Sequence, residues 1–200
     1  MALKKVGLLG GSFDPIHLAH IALADAAHHD AGLSTVELVP AANPWQRAPL
    51  AATTKQRLDM LRLAIGRRSY VSINLIEVTR GGKTYTLDTV KELPAATDYY
   101  WILGSDQLAN FCSWHGWRDI ALCVHLMVAR RPGAAPAPPV PLARHLARHG
   151  LQLFELPFPE MAISASEIRR RLAADEPVEG MLDAAVAQYI KDNQLYRAAT

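Results

Sequence analysis

A doubly wound α/β fold, with one parallel sheet covered by helices on both faces, is predicted by three features of this 200-residue chain. Short apolar runs alternate with segments of helical periodicity along most of its length. The first apolar run ends in a glycine pair and leads directly into a helical segment, the layout of a strand–loop–helix unit. Half of the residues are hydrophobic, so one domain of this length can bury most of the surface that its unfolded chain exposes.

Residues 5–9 form the first apolar run, stopped by Gly10-Gly11, and residues 18–27, rich in alanine and leucine, have the spacing of a helix. Residues 35–39 repeat the strand signal, 54–65 the helix signal, 71–76 a strand and 86–93 a helix. Residues 99–103 then read as a strand, 106–111 as a short helix and 124–129 as a strand. From Pro132 to Pro141 the composition permits neither a helix interior nor a central strand, and a stiff surface connection is expected. A last strand at residues 151–156, a helix at 166–173, an amphipathic helix at 183–191 and a frayed tail complete the reading. There is no internal repeat. The chain beyond the prolines, roughly 50 residues, is at the low edge of what folds alone. The expected organisation is a single domain over residues 1–200, whose C-terminal helical segment, about residues 164–195, completes the site.

Twenty-one basic residues against nineteen acidic ones leave a formal charge of +2, too weak a field to imply a nucleic-acid partner. Any preference for anions must come from a local site. Cys112 and Cys123 are too few for a disulfide framework and too far apart for a CxxC motif, which fits a reducing compartment. The N-terminal apolar run lacks a cleavage site, and no stretch approaches the roughly 20 apolar residues that span a bilayer. The expectation is a cytoplasmic protein with no membrane partner; the sequence leaves the oligomeric state open and allows a homo-oligomer.

The segment Gly10-Gly11-Ser12-Phe13-Asp14-Pro15-Ile16-His17-Leu18-Ala19-His20 is the most informative. A Gly-rich turn beyond the carboxyl end of a strand lets the backbone approach a phosphate while the next helix aims its N–H groups at it. His17 and His20, three apart at the helix start, share a face and can reach one anion. Neither GxGxxG nor a Walker loop is present, and the two histidines stand where a Walker loop has its lysine. Taken alone, a histidine pair at helical spacing is more often decoration than chemistry, so the surrounding loop carries the argument. A zinc site would need HExxH or a third ligand. His28-His29-Asp30 falls at a helix end, where the dipole explains histidine. Arg130 and Arg131 stay unassigned.

GGSFDPIHLAH resembles the signature of the HxGH nucleotidyltransferases, and specifically of the bacterial nicotinate-nucleotide adenylyltransferases. The resemblance extends over nearly the whole chain. A second signature, ISSTxIR, is similar to Ile163-Ser164-Ala165-Ser166-Glu167-Ile168-Arg169, with Ala165 and Ser166 as small departures. Ser164 and Ser166 stand where they can cap the following helix, and Arg169 lies one turn in, aimed at an anion near that helix start. Leu103-Gly104-Ser105-Asp106 resembles the GxD element, and Thr84-Tyr85-Thr86 the element that precedes a helix beside the pyridine site.

The resemblance implies a Rossmann-like sheet of the nucleotidyltransferase type. It implies adenylyl transfer from ATP, with Mg2+, to nicotinate mononucleotide, giving deamido-NAD and pyrophosphate in NAD biosynthesis. His17, His20 and Arg169 would be catalytic. The ATP site would comprise Gly10, Gly11, Ser12, Phe13, His17, His20, Gly104, Asp106, Ser166 and Arg169, with no metal ligand from protein side chains. Nicotinate mononucleotide would lie against Thr86, Trp114 and His115, with Trp114 stacked on the ring. A tryptophan is otherwise a core residue, but this one sits in a polar, turn-prone loop.

Asn43-Pro44-Trp45-Gln46-Arg47 departs from the family's PPHK, and Arg47 or Lys55 would then supply the missing positive charge. Ala19 replaces the motif's glycine. The alternatives are another member of the superfamily, such as a phosphopantetheine adenylyltransferase, or a nucleotide-binding protein without turnover.

Overall fold

In the computed structural model of the chain, which describes residues 3–43, 49–130, 137–159 and 161–198, six strands form one sheet. They are β1 (Lys4–Gly11), β2 (Thr35–Pro40), β3 (Val71–Ile73), β4 (Thr97–Leu103), β5 (His125–Arg130) and β6 (Leu153–Pro157). Their order is β3-β2-β1-β4-β5-β6 and every neighbouring pair is parallel. The chain winds outward from β1 to β3 on one side and restarts at β4 on the other. The crevice beyond the carboxyl ends of β1 and β4 is therefore the switch point at which open α/β sheets bind ligands.

Successive residues of the central strands point to opposite faces, and both faces are buried. Val6, Leu8, Trp101 and Leu103 enter one core, while Leu9, Tyr100 and Ile102 enter the other. The helices are α1 (Leu18–His29), α2 (Thr54–Ile65), α3 (Ile76–Arg80), α4 (Thr86–Glu92), α5 (Ser105–Asn110), α6 (Trp117–Cys123), α7 (Val140–Arg148), α8 (Ala165–Ala173) and α9 (Ala184–Asp192). Helices α1, α2, α8 and α9 cover the face of Leu9 with Ile21, Met60, Leu61, Ile168, Val186 and Ile190. Helices α4 to α7 cover the face of Leu8 with Leu87, Leu108, Ile120 and Leu142. Helix α2 begins at a capping box, in which Thr53 Oγ1 accepts from the Gln56 N–H and Gln56 Oε1 from the Thr53 N–H.

Three expectations are corrected. The strand expected over residues 71–76 ends at Ile73, because Asn74 donates from Nδ2 to Glu37 and accepts the Ile76 N–H on Oδ1, turning the chain out of the sheet into α3. Residues 131–136 of the proline-rich connection lie outside the described residues, but its end is not loop. Val140 and Pro141 open α7, where a proline costs no hydrogen bond, and Leu142 and Leu146 bury one stripe. The segment after α9 is docked instead of frayed: Tyr196 packs against the core and its hydroxyl donates to Asp14.

Candidate active site

A cavity of about 660 Å³ opens beyond the carboxyl ends of β1 and β4, within the size range of small-ligand sites. One wall is Gly10, Gly11 and Ser12 with His17, Ala19 and His20 at the start of α1. Ser164, Ser166 and Arg169 of the α8 start face them, and Gly104 and Asp106 follow β4. Glu77, Thr84, Tyr85, Thr86, Trp114 and His115 complete the lining. Among the described lining residues the charged groups are Arg169, Glu77 and Asp106.

His17 is the N-cap of α1 and His20 lies one turn in; their rings stack with centroids 3.7 Å apart. The His17 backbone N–H donates to His20 Nδ1 at 3.3 Å, which leaves the His20 ring proton on Nε2 as a donor. Burial lowers the pKa of His17 to about 4, so its ring is neutral near pH 7. Its Nδ1 is buried with no hydrogen-bond partner among the described residues. A buried polar atom of this kind is costly until something satisfies it, and a ligand oxygen at this wall would do so. The neutral His17 ring and the His20 ring stacked on it thus line the wall with imidazole nitrogens suited to an anion.

The loop carrying this pair is braced from distant parts of the chain. Asp14, 2% exposed, accepts on its carboxylate from the backbone N–H groups of Ala51 (2.7 Å) and Ala52 (3.0 Å) and from the Tyr196 hydroxyl (2.7 Å). Its carbonyl accepts from Arg169 Nη1 at 2.6 Å. Arg57, fully buried, donates to the Ser12 carbonyl at 2.7 Å. The first N–H of α1, at Leu18, donates to the Met181 carbonyl at 3.0 Å. Phe13 sits in this frame with φ at 48°, a left-handed conformation uncommon for a bulky side chain.

Helix α8 is capped by Ser164, whose Oγ accepts from the Glu167 N–H at 3.2 Å. Ser166, expected as a second cap, lies within the first turn, and its hydroxyl is 3.2 Å from that of Ser164. Arg170 and Arg171 are spent on Glu167 and Glu176, so Arg169 alone of the three faces the cavity. Thr84 Oγ1 accepts from the N–H groups of Ala42 and Asn43, and the Tyr85 and His115 rings lie 5.0 Å apart. Trp114 is half-buried, leaning on Phe111 with centroids 5.2 Å apart while bordering the cavity.

Residues 8–171 match the cytidylyltransferase-like family. A protein of Bordetella parapertussis named "Probable nicotinate-nucleotide adenylyltransferase" is 57% identical over 98% of this chain and 100% of its own length. The chain belongs to the nicotinate-nucleotide adenylyltransferase family. A member from Chromobacterium violaceum carrying the same name is 38% identical over 96% of this chain and 99% of its own. The fold is that of the Plasmodium falciparum nicotinic acid mononucleotide adenylyltransferase complexed with NaAD, with a TM-score of 0.76 at 19% identity over 96% and 97% of the two chains. A putative nicotinate-nucleotide adenylyltransferase from Vibrio parahaemolyticus gives 0.69 at 16% identity, covering 98% of each chain.

Most residues that the family resemblance implicates are brought to the one cavity, His17, Arg169, Thr86 and His115 among them. Phe13 is not among its lining residues: its ring is buried beneath the loop, edge-on to His20 at 5.0 Å, and supports the wall from behind. Lys55 is also absent from the lining; it is 84% exposed and paired with Asp59 at 2.7 Å, the ordinary i,i+4 partner on a helix surface. Arg47 lies outside the described residues.

Asp14, Arg57, Glu77 and Tyr196 are additions that the motif reading lacked. Arg57 had a signal, since it opens the i, i+3, i+4, i+7 stripe completed by Met60, Leu61 and Ala64, an odd place for a cation. Glu77 and Tyr196 had none.

Proposed function

We propose that this protein transfers the adenylyl group of ATP to nicotinate mononucleotide, giving deamido-NAD and pyrophosphate in NAD biosynthesis. The observation that carries the reading is that one cavity gathers His17, His20, Ser166 and Arg169, groups suited to phosphate, together with Trp114, Thr86 and His115. Proteins named for this activity share 37–57% of their residues with the chain over nearly its full length.

The triphosphate lies between the α1 and α8 starts, with Gly10, Gly11 and Ser12 close to its oxygens. Gly104 and Asp106 take the adenosine side. The pyridine ring stacks on Trp114, with its acid group at Thr86. The phosphate of the mononucleotide then attacks the α-phosphorus in line; the new P–O bond forms as the bond to pyrophosphate breaks. The attacking oxygen is already anionic and no proton need move. His17, His20 and Arg169 donate to the oxygens on which negative charge collects.

Mg2+ would enter on the triphosphate and screen its charge. The lining donors are imidazole and guanidinium groups suited to phosphate oxygens, and no cluster of metal-ligating side chains occurs among the described residues. Among the described residues no helix is long and apolar enough to cross a membrane.

Pyrophosphate release from Mg-ATP, followed separately with nicotinate mononucleotide, nicotinamide mononucleotide and phosphopantetheine, tests the reading. Release mainly with the nicotinate compound supports it. Release only with phosphopantetheine replaces the acceptor, and ATP binding without release with any acceptor replaces catalysis by nucleotide binding.

A further inference from the structure

Glu77 is a carboxyl group that the reaction outlined above does not use. It is 4% exposed, yet it borders the cavity at the end where Thr84, Tyr85 and Thr86 also stand. Its Oε1 is 2.7 Å from the Thr89 hydroxyl, and Thr89 lies one turn after Thr86 on α4. Arg80 Nη2 donates to the same hydroxyl at 3.0 Å. The Tyr85 carbonyl is a second acceptor for that hydroxyl, at 3.4 Å.

This arrangement satisfies the carboxyl in either protonation state. When Glu77 is ionised, the Thr89 proton points to it. When Glu77 is protonated, it can donate to the Thr89 oxygen while the Thr89 proton turns to the Tyr85 carbonyl. Buried carboxyls with only one such arrangement are held in one state; this one is free to titrate.

The charged and titratable groups around it leave its charge only partly balanced. Arg80, on the same helix, is shared with Glu92 of α4 at 3.1 Å. Glu37 of β2 is engaged by Asn74. His115 and Tyr85, whose rings lie 5.0 Å apart, also line the cavity, whereas Arg169 donates to the Asp14 carbonyl of the histidine loop. Burial pushes the pKa of Glu77 up to about 7, against the pull of Thr89 and Arg80.

We infer that Glu77 is a specificity-determining residue for the substituent on the pyridine ring, taking up a proton when a carboxylate occupies the Thr86 end and staying ionised beside a carboxamide. The inference rests on the proposed use of pyridine mononucleotides. A carboxylate beside Glu77 adds like-charge repulsion, so the acid substrate binds together with a proton once Glu77 is ionised in the free enzyme. A carboxamide is neutral and can donate its N–H to the ionised form. The ratio of acid to amide turnover should therefore depend on pH through this one group. The 5′-phosphate is common to both substrates, so its own ionisation cancels in the ratio.

The test compares kcat/KM for nicotinate mononucleotide with that for nicotinamide mononucleotide, between about pH 6 and pH 9, in wild type and Glu77→Gln. Glutamine keeps an oxygen to accept from Thr89. In wild type the acid-to-amide ratio should fall by up to tenfold per pH unit across this range, because one complex holds the proton and the other does not; in Glu77→Gln it should not change with pH. A level ratio in wild type, or the same slope in both proteins, overturns the inference.

Titration calorimetry at about pH 8 in two buffers of different ionisation enthalpy gives a readout without turnover. More protons should be taken up with the nicotinate compound than with the nicotinamide one, and this excess should vanish in Glu77→Gln. Equal uptake for the two ligands in wild type overturns the role of Glu77. Absence of pyrophosphate release with both substrates would refute the proposed reaction alone, and the calorimetric comparison would still decide Glu77.

Discussion

The Tyr196 hydroxyl donates a 2.7 Å hydrogen bond to the Asp14 carboxylate, joining the segment after the last helix to the loop that carries the histidine pair. Burial and the neighbouring carboxylate push the phenol's pKa up, so it remains a donor throughout the neutral range. Tyr196→Phe removes this donor and leaves a buried carboxylate with one partner fewer. The expected cost is about 1.5–3 kcal/mol, which for a chain of this size lowers Tm by roughly 3–12 °C. Thermal melting followed by circular dichroism checks it; a Tm within one degree of wild type would show that the bond contributes nothing.

His20→Ala should lower kcat about 10²- to 10³-fold, the usual cost of deleting one donor to a developing anion. The fold should persist, because His20 is only partly buried at the head of α1. Steady-state pyrophosphate release checks the rate and circular dichroism the fold. An unchanged kcat removes His20 from the phosphate role.

His17 makes part of the stability acid-sensitive. Its pKa falls from 6.5 in the unfolded chain to about 4 in the folded one, because the ring is buried. Above pH 6.5 both states are neutral and the full contribution is present; as pH falls towards 4 the unfolded chain binds the proton first and stability is lost. The loss is about 3 kcal/mol by the lower limit of that window. Urea unfolding of wild type at a series of pH values should show this slope, and His17→Gln should lack it. Parallel profiles for the two proteins would exclude His17 as its source.

Trp114→Ala should raise KM for the pyridine nucleotide roughly 10- to 100-fold, on the scale of about 1–3 kcal/mol for a base stacked on an aromatic side chain. KM for ATP should change little, because the proposed role sets Trp114 against the pyridine ring and not against the triphosphate. Equal changes in both constants would mean a collapsed site instead of a lost stack.

Gly10→Ala tests the floor of the site. A Cβ there would lie 2.8 Å from Cζ2 of Trp101, a ring that is itself locked in the core. Overpacking of this kind costs about 1–3 kcal/mol, and the loop would shift with it. Chemical denaturation gives the first quantity and the turnover rate reports the second.

The sheet and the cavity were largely legible in the sequence because they rest on local signals. Short apolar runs mark β1 and β4, which are buried on both faces, and helical spacing over residues 54–65 marks α2. The two family signatures brought His17, His20, Ser166 and Arg169 together before any coordinates did.

Other features were silent because they depend on pairs far apart in the chain. The buried partners of Asp14 come from Ala51, Ala52 and Tyr196, and no spacing rule connects those positions. Glu77 sits on a five-residue helix too short to show a periodicity, and its burial is set by Thr89 of another element. The charge of Lys55 is visible in the sequence, but its pairing with Asp59 one turn along α2 is fixed only once the helix surface is formed.

The Leu18 to Met181 bond gives the enzyme a weak point away from its chemistry. Helices α8 and α9 are joined by a partly exposed turn around residues 174–180, and everything beyond it reaches the histidine loop through Met181 and Tyr196. Transient undocking of α9 would strip both braces at once while the six strands stay paired, making the two ends of the chain a single cooperative opening unit. A protease that nicks this turn would therefore silence the enzyme and leave a folded sheet behind. Amide exchange at Leu18 should then keep pace with exchange in α9, not with that of β1.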